Sequence, residues 1–146
     1  MRRISCASWS IRGGSGSPTQ TLASLALTAG ANTLSLLPNG ATSLVVTLNG
    51  ASISRTAGST LNLVASGTAS FAATNALNNA AGILGGYALF NGADWAARDG
   101  SGNLAAFSNY TALPTTGGDT ATNYLLTSGT ALTGALTINS LKITGT

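Results

Sequence analysis

The sequence has 146 residues, of which 44% are hydrophobic and only 6% are charged. Ordinary soluble domains are about 25% charged, so the polar surface here consists mainly of Thr, Ser, Asn and Gly. The high apolar content excludes intrinsic disorder, and the length indicates one domain.

The formal net charge of +3 arises at the start of the chain. Arg2, Arg3 and Arg12 lie within the first twelve residues. Beyond them, three basic residues balance three acidic ones: Arg55, Arg98 and Lys142 against Asp94, Asp99 and Asp119. A nucleic-acid partner is not expected, because binding to phosphates requires a cluster of basic side chains.

Residues 1–16 are interpreted as an irregular leader that ends in "GGSGSP". An export signal is not evident, because no apolar run follows the basic start. Cys6 is the single cysteine, and we interpret it as an incidental thiol. No window approaches the ~20 apolar residues of a membrane helix, so membrane insertion by this segment is not expected.

Residues 17–146 are predicted to form one domain of short strands. Apolar residues recur two positions apart, which places them on one face of a strand. These residues are Leu25 and Leu27, Leu34 and Leu36, Leu44, Val46 and Leu48, and Leu61 and Leu63. Segments such as "TAGAN" and "PNGA" separate them and are typical of turns.

One segment has a composition that could suit a helix, "AATNALNNAAGIL" at 72–84. Its asparagines and the glycines around its end disfavour a helix of more than one turn. We therefore expect a lateral loop around residues 72–115.

A repeat determines the predicted architecture. "TAGANTLSL" (28–36) recurs as "TAGSTLNL" (56–63) with one residue deleted, at a spacing of 27 to 28 residues. "TLASLALTAG" (21–30) is similar to "TINSLKITGT" (137–146). Such periods indicate a solenoid, and short strands with glycine turns favour an all-β one. A β-sandwich would also suit the short strands, but it does not predict a repeat period.

A dense stretch, "GILGGYALFNGADWAARDG" at 82–100, carries a resemblance to a known family. Its Gly85-Gly86-Tyr87, Asn91-Gly92 and Asp94-Trp95-Ala96, followed by Gly102, Leu104 and Tyr110, resemble the autotransporter-associated β-strand repeat of bacterial surface proteins. The segment 122–143 and the rungs from about Thr19 are also similar to this family.

The resemblance implies a right-handed parallel β-helix of a few rungs that serves as a non-enzymatic stalk or adhesion scaffold. The expected location is the cell surface or the extracellular space, as part of an exported outer-membrane passenger. The expected partners are neighbouring rungs of a longer parent chain, of which this would be a fragment, or other copies of itself. Surface polysaccharide is a further candidate partner.

The sequence predicts no catalytic, cofactor-binding or metal-binding residues. Asp94 and Asp99 could be weighed as a glycosidase pair. We instead expect Asp94 to cap a turn facing Arg98, and Asp99 to open the turn "DGSG". That turn lacks the glycine and glutamate of an EF-hand, and the absence of His and Glu from the sequence excludes a Ser-His-Asp triad. Lys142 is interpreted as a solvent-facing residue of the final strand.

The aromatic residues allow two interpretations. Tyr87, Phe90, Trp95, Phe107, Tyr110 and Tyr124 could form a sugar-stacking surface, or they could pack a loop onto the solenoid. We favour packing, with Trp95 and Tyr87 as anchors. The alternative functions are a carbohydrate-active or carbohydrate-binding β-helix and a self-assembling filament subunit.

Overall fold

The computed structural model describes residues 7–48, 53–75 and 77–145, and all regular structure in these ranges is β-strand. These ranges accordingly contain no helix long and apolar enough to cross a membrane. The first eleven strands are β1 (Ala7–Arg12), β2 (Thr19–Leu22), β3 (Leu25–Leu27), β4 (Gly30–Leu37), β5 (Leu44–Leu48), β6 (Ile53–Arg55), β7 (Ser59–Ala65), β8 (Ala69–Ala73), β9 (Ala88–Phe90), β10 (Asp94–Arg98) and β11 (Asn103–Ala106). The last three are β12 (Thr111–Ala112), β13 (Gly117–Leu126) and β14 (Leu136–Ile143).

The first nine strands form a stack in which the chain winds through about three turns. Strands β1, β4, β7 and β9 pair in parallel along one wall. Strands β2, β5 and β8 form a second wall, and β3 pairs with β6 in a third. The protein is therefore an all-β parallel solenoid, which confirms the predicted fold class.

Successive turns are offset by between 25 residues, as from Ala7 to Asn32, and 29 residues, as from Gly30 to Ser59. The repeat as aligned by sequence places Leu34 opposite Leu61, whereas the structure pairs Leu34 with Leu63. A shift of two residues leaves the same side chains facing inward, because the strand period is two. The solenoid was therefore predicted correctly although this register was not.

The inward columns of the walls form the core. Its fully buried side chains include Leu36, Leu44, Val46, Leu48, Leu61, Leu63 and Phe71. Burial of each of these side chains contributes about 1.5–3 kcal/mol. The core is continuous through the stack and holds the walls together. Charged side chains are disfavoured at these positions, because burying an unpaired charge costs free energy.

The expected irregular leader is a strand over part of its length. Residues 7–12 form β1, which pairs along its whole length with β4. Ile11 packs against the core, and the Gly13 N–H donates a hydrogen bond of 2.8 Å to the carbonyl of Leu37. Ladder pairing and apolar contact therefore extend the stack into this segment, which corrects the boundary at residue 16. Residues 1–6, with Cys6, lie outside the described residues.

The region expected as a lateral loop, residues 72–115, instead closes one end of the stack. Strand β9 adds to the first wall, β10 runs antiparallel to β9, and β11 runs antiparallel to both β10 and β8. The two walls thereby join into one nine-stranded sheet. Ala96 and Leu104, which are at most 2% exposed, place apolar side chains over the core at this end. We call β10 and β11 the cap hairpin.

The helix-like segment before the hairpin contains turns rather than a helix in its described part. The Asn78 amide donates to the carbonyl of Arg98 and accepts from the Arg98 N–H, both at 2.8 Å. The side-chain Oδ1 of Asn79 accepts hydrogen bonds from the N–H groups of Ala81 and Ile83. These side chains bind backbone groups in a non-helical conformation, which is why asparagine disfavours a helix interior.

A second, smaller parallel sheet contains β12, β13 and β14 in that order. The pairing of β13 with β14 changes register between Asp119 and Asn123. Asn123 is 2% exposed and donates through its amide to the carbonyl of Ala81, while Asn139 and Ser140 donate to its Oδ1. This buried network attaches the second sheet to the end of the solenoid.

Candidate functional site

Charged and aromatic side chains meet where the cap hairpin contacts the second sheet. Asp94 on β10 forms an ion pair with Lys142 on β14. The Tyr110 hydroxyl donates to Asp94 Oδ1 at 3.3 Å and accepts from the backbone N–H of Trp95 at 3.3 Å. We call Asp94, Trp95, Tyr110 and Lys142 the junction cluster. It brings together three segments that are far apart in the sequence.

A small cavity of about 180 Å³ adjoins this cluster. Its lining includes Leu89, Trp95, Tyr110, Lys142 and Ile143. The Lys142 ammonium lies 5.5 Å from the centroid of the Tyr110 ring, within the range of a cation–π interaction. The Trp95 indole nitrogen is buried without a hydrogen-bond partner among the described residues. The cavity is therefore flanked by aromatic surface and by one ion pair.

The electrostatics of the junction cluster favour a structural role, in which its polar side chains bind one another. Burial raises the pKa of the Tyr110 hydroxyl above its usual value, and the Asp94 carboxylate adds to this effect. The hydroxyl therefore remains protonated and continues to donate to Asp94 at neutral pH. The cluster contains one carboxylate, already paired with an ammonium, whereas glycoside hydrolysis usually requires two that flank the substrate. The described residues contain no group of three or more His, Cys, Asp or Glu side chains that could hold a metal ion.

Two expectations for this cluster were wrong. Asp94 pairs with Lys142 rather than facing Arg98, whose Nε donates to the carbonyl of Ala73 at 2.6 Å. The Lys142 side chain is only 22% exposed, so it is not a solvent-facing residue. Both errors arise from contacts between segments that no local pattern relates.

The expected role of Asp99 is confirmed. Its Oδ1 accepts hydrogen bonds from the N–H groups of Ser101 and Asn103, and its Oδ2 accepts from the Asn103 amide. These bonds, led by the one from the Asn103 backbone, lower the pKa of the Asp99 carboxyl. The third acid, Asp119, accepts from the N–H of Ala121 at 2.8 Å. Each of the three carboxylates thus forms an ion pair or accepts hydrogen bonds within the protein.

The other aromatic residues considered for a sugar-stacking surface pack against their neighbours rather than form an open platform. The Arg55 guanidinium lies 4.0 Å from the centroid of the Tyr87 ring, and Tyr87 packs against the core. Burial raises the pKa of Tyr87, and the Arg55 charge partly offsets this effect. The rings of Phe107 and Tyr110 meet edge to face at 4.9 Å, and Tyr124 is 5% exposed.

A second candidate surface lies at the opposite end of the solenoid. The nine-stranded sheet has β1 and β2 as its two edges, and both edges are at this end. A groove of about 560 Å³ lies here, lined mainly by apolar side chains that include Trp9, Ile11, Leu22, Leu25 and Leu27. We call this groove and its two edge strands the open end. Sequence reasoning missed it because residues 7–12 were interpreted as leader, although Trp9 and Ile11 show the same alternation as the other strands.

Comparison of the chain with protein-family models, with curated proteins and with solved structures found no match.

Proposed function

We propose that the protein is a non-enzymatic structural repeat module, a stalk or adhesion scaffold of an exported, autotransporter-like passenger at a bacterial surface. The observation that carries this proposal is the state of its three carboxylates. Asp94 is paired with Lys142, Asp99 is bound within its own turn, and Asp119 accepts from a neighbouring backbone N–H. Side chains that could perform acid–base chemistry are used to hold strands and turns in place.

The stack itself supports a scaffold role. Parallel strands bury columns of apolar side chains on the inner faces of the walls, and outward positions carry Ser and Thr, as at Ser35 and Thr47. Uncharged side chains can lie directly above one another at the ~4.8 Å spacing between rungs without repulsion. The near absence of charge is thus explained by stacking. The resemblance of the region around Gly85–Ala96 to autotransporter-associated repeats supports the passenger role and the surface location.

A carbohydrate-active β-helix is the competing function, and the geometry supports it less well. Such an enzyme requires ionisable side chains aligned in a groove that admits a sugar chain. The groove of the open end is apolar, and the cavity beside Asp94 is only about 180 Å³. A binding role would need several flat exposed rings close together, whereas Tyr87 and Tyr110 each have a face or edge covered by another side chain, and the exposed ring of Trp9 lies at the opposite end of the solenoid.

Activity measurements on a panel of polysaccharides test the non-enzymatic part of the proposal. Release of reducing ends and formation of unsaturated products should stay at the level of buffer for the wild-type protein and for Asp94→Asn. Turnover by the wild-type protein that Asp94→Asn abolishes while its circular dichroism spectrum is unchanged would refute the scaffold role.

Labelling of intact source cells tests the location. An antibody against the purified chain should bind unpermeabilised cells, and external protease should remove the signal. The matched control is a cytoplasmic protein of the same cells, which should be labelled only after permeabilisation. Signal that appears only after permeabilisation would contradict the surface location.

A further inference from the structure

Two exposed turns of the solenoid have the same sequence and a similar backbone conformation. Both contain the segment "NGA", at 39–41 and at 91–93. The φ angles are +48° at Asn39 and +87° at Gly40, and +51° at Asn91 and +69° at Gly92. In each turn the alanine N–H donates to the carbonyl of the residue before the asparagine, at 2.9 Å in the first turn and 3.2 Å in the second. We call them the Asn39 turn and the Asn91 turn.

An asparagine that precedes glycine is prone to lose its side-chain amide without an enzyme. The glycine nitrogen attacks the asparagine Cγ, and as this C–N bond forms, the bond from Cγ to the amide nitrogen breaks. Ammonia leaves with the proton of the glycine N–H, and a cyclic imide remains. Water then opens the imide at either carbonyl, which yields aspartate or isoaspartate. The reaction therefore requires a free asparagine side chain, a free glycine N–H and room for the backbone to rotate.

In the Asn91 turn both reacting groups are bound. The Asn91 side chain accepts from the N–H of Ala65 at 2.9 Å and donates to the Ala65 carbonyl at 3.1 Å. The N–H of Gly92, whose nitrogen would make the attack, donates to Oδ1 of Asn62 at 2.8 Å. All of these hydrogen bonds must break before the cyclic imide can form.

In the Asn39 turn the same groups are held much less firmly. The Asn39 amide donates to the carbonyl of Gly13 at 3.3 Å. The Gly40 N–H has no acceptor in the part of the chain that the structure describes. The space beside the Cα atom of Gly40 is open, so no neighbouring atom blocks rotation of the turn at this position.

We propose that Asn39 is a site of spontaneous deamidation, and that hydrogen bonds protect the otherwise equivalent Asn91. Both asparagines are exposed, so access to water does not distinguish them. The difference lies in the hydrogen bonds that oppose the attack: three in the Asn91 turn, and one longer bond in the Asn39 turn. At a typical net strength for each bond, deamidation should be faster at Asn39 than at Asn91 by about tenfold or more.

The modification weakens the contact between the Asn39 turn and the end of β1. Gly13 directly follows β1, and its N–H donates to the Leu37 carbonyl while its own carbonyl accepts from Asn39. An aspartate carboxylate at position 39 has no proton to donate and repels the Gly13 carbonyl oxygen. Isoaspartate adds an atom to the backbone of the turn. There is little room for it, since even a Cβ atom on Gly13 would lie 2.5 Å from the Pro38 carbonyl oxygen.

Peptide mapping by mass spectrometry tests the site. The folded protein is incubated in mildly alkaline buffer, and the mass gain from exchange of ammonia for water is followed with time in each peptide. Fragment ions separate position 39 from the third "NGA" segment, at 49–51, which begins outside the described residues. In guanidinium chloride the rates at Asn39 and Asn91 should become similar, because both precede Gly-Ala. Equal rates in the folded protein, or no modification at Asn39 while the denatured chain is modified, would overturn the proposal.

A pair of variants tests the protection of Asn91. Asn62→Ala removes the acceptor of the Gly92 N–H and should accelerate deamidation at Asn91 several-fold, with the rate at Asn39 unchanged. The matched control is Thr60→Ala, two residues earlier on the same face of β7, which should leave both rates unchanged. An unchanged rate at Asn91 in a folded Asn62→Ala protein would show that this hydrogen bond does not protect it.

Hydrogen exchange tests the structural consequence. Asn39→Asp reproduces one product of the reaction and should exchange its β1 amides several-fold faster than wild type, with β7 unchanged. Asn109→Asp is the control for charge, because Asn109 is exposed and its side chain has no hydrogen bond among the described residues. Equal protection of β1 in the two variants would contradict the proposed weakening. The inference concerns the folded chain itself, so polysaccharide turnover or an internal location would refute only the scaffold role.

Discussion

The ammonium group of Lys142 on β14 lies against the carboxylate of Asp94 on β10, a residue 48 positions earlier in the chain. This pair joins the second sheet to the cap hairpin of the solenoid. Both side chains are 22% exposed, so they are partly shielded from water. Because Tyr110 also donates to Asp94, loss of the lysine leaves the carboxylate with one neutral side-chain donor.

Lys142→Met should therefore destabilise the protein by about 1–2 kcal/mol, between the values for exposed and buried pairs. The larger effect should be local, with faster amide hydrogen exchange in β13 and β14 than in β4 and β7. The control is Arg12→Met, which removes an exposed cation that has no ion pair in the described residues. Equal effects of the two substitutions would contradict a structural role for the Asp94 pair.

Asp99 should make stability depend on acid pH. Hydrogen bonds lower the pKa of its carboxyl in the folded protein, so its contribution is present above the unfolded-state pKa of about 3.9. That contribution is lost as the pH falls through the lower, folded-state pKa. Urea midpoints measured between pH 7 and pH 2 should fall less for Asp99→Asn than for wild type. Identical pH profiles would show that Asp99 does not contribute.

Asn91 imitates a peptide group beside β7. Its amide accepts from the N–H of Ala65 at 2.9 Å and donates to the Ala65 carbonyl at 3.1 Å, while its own φ is +51°. Asn91→Ala should cost about 1–3 kcal/mol from the lost bonds, and the positive φ adds strain. Asn91→Gly loses the same bonds without the strain, and should be about 1 kcal/mol more stable than the alanine variant in urea unfolding. The reverse order would contradict this explanation.

Asn32 is a polar residue at an inward position, paired in register with Leu61. It is 7% exposed, and its amide donates to the carbonyls of Thr28, Gly30 and Thr60 at 2.9–3.1 Å. Asn32→Leu should destabilise the protein by at least about 2 kcal/mol in thermal or urea unfolding, because these carbonyls lose their donor. Thr33→Val, on the neighbouring position of the same strand, should stay within about 0.5 kcal/mol. A leucine variant as stable as wild type would show that the asparagine is not required.

The same asparagine shows why the register could not be predicted from the repeat. When "TAGANTLSL" is aligned with "TAGSTLNL", Asn32 becomes the inserted residue, because the second segment has no asparagine before its threonine. In the structure Asn32 keeps its place in the inward column because its hydrogen bonds are satisfied there. The alternation of Leu34 and Leu36 identified the correct face, but the offset between rungs depends on the turns that connect them.

The start of the stack could have been predicted in part. Trp9 and Ile11 alternate with Ser8 and Ser10, which is the pattern of a strand with one apolar face. A segment this short could be a strand or a loop when it is considered alone. In the structure its pairing with β4 makes it a strand. The turn made by Asp99, by contrast, was predictable because all of its hydrogen bonds lie within four residues.

The sequence by itself determined the strand periodicity, the turns, the all-β class and a polar surface of Thr, Ser and Asn rather than of charged residues. These features follow from interactions between residues that are close in the chain or that repeat along it. Only the tertiary structure decided the register of the rungs, closure of one end by the cap hairpin, and the pairing of Asp94 with Lys142. Those features depend on how chain segments meet in space, where burial and hydrogen bonding select among arrangements that the local pattern permits equally.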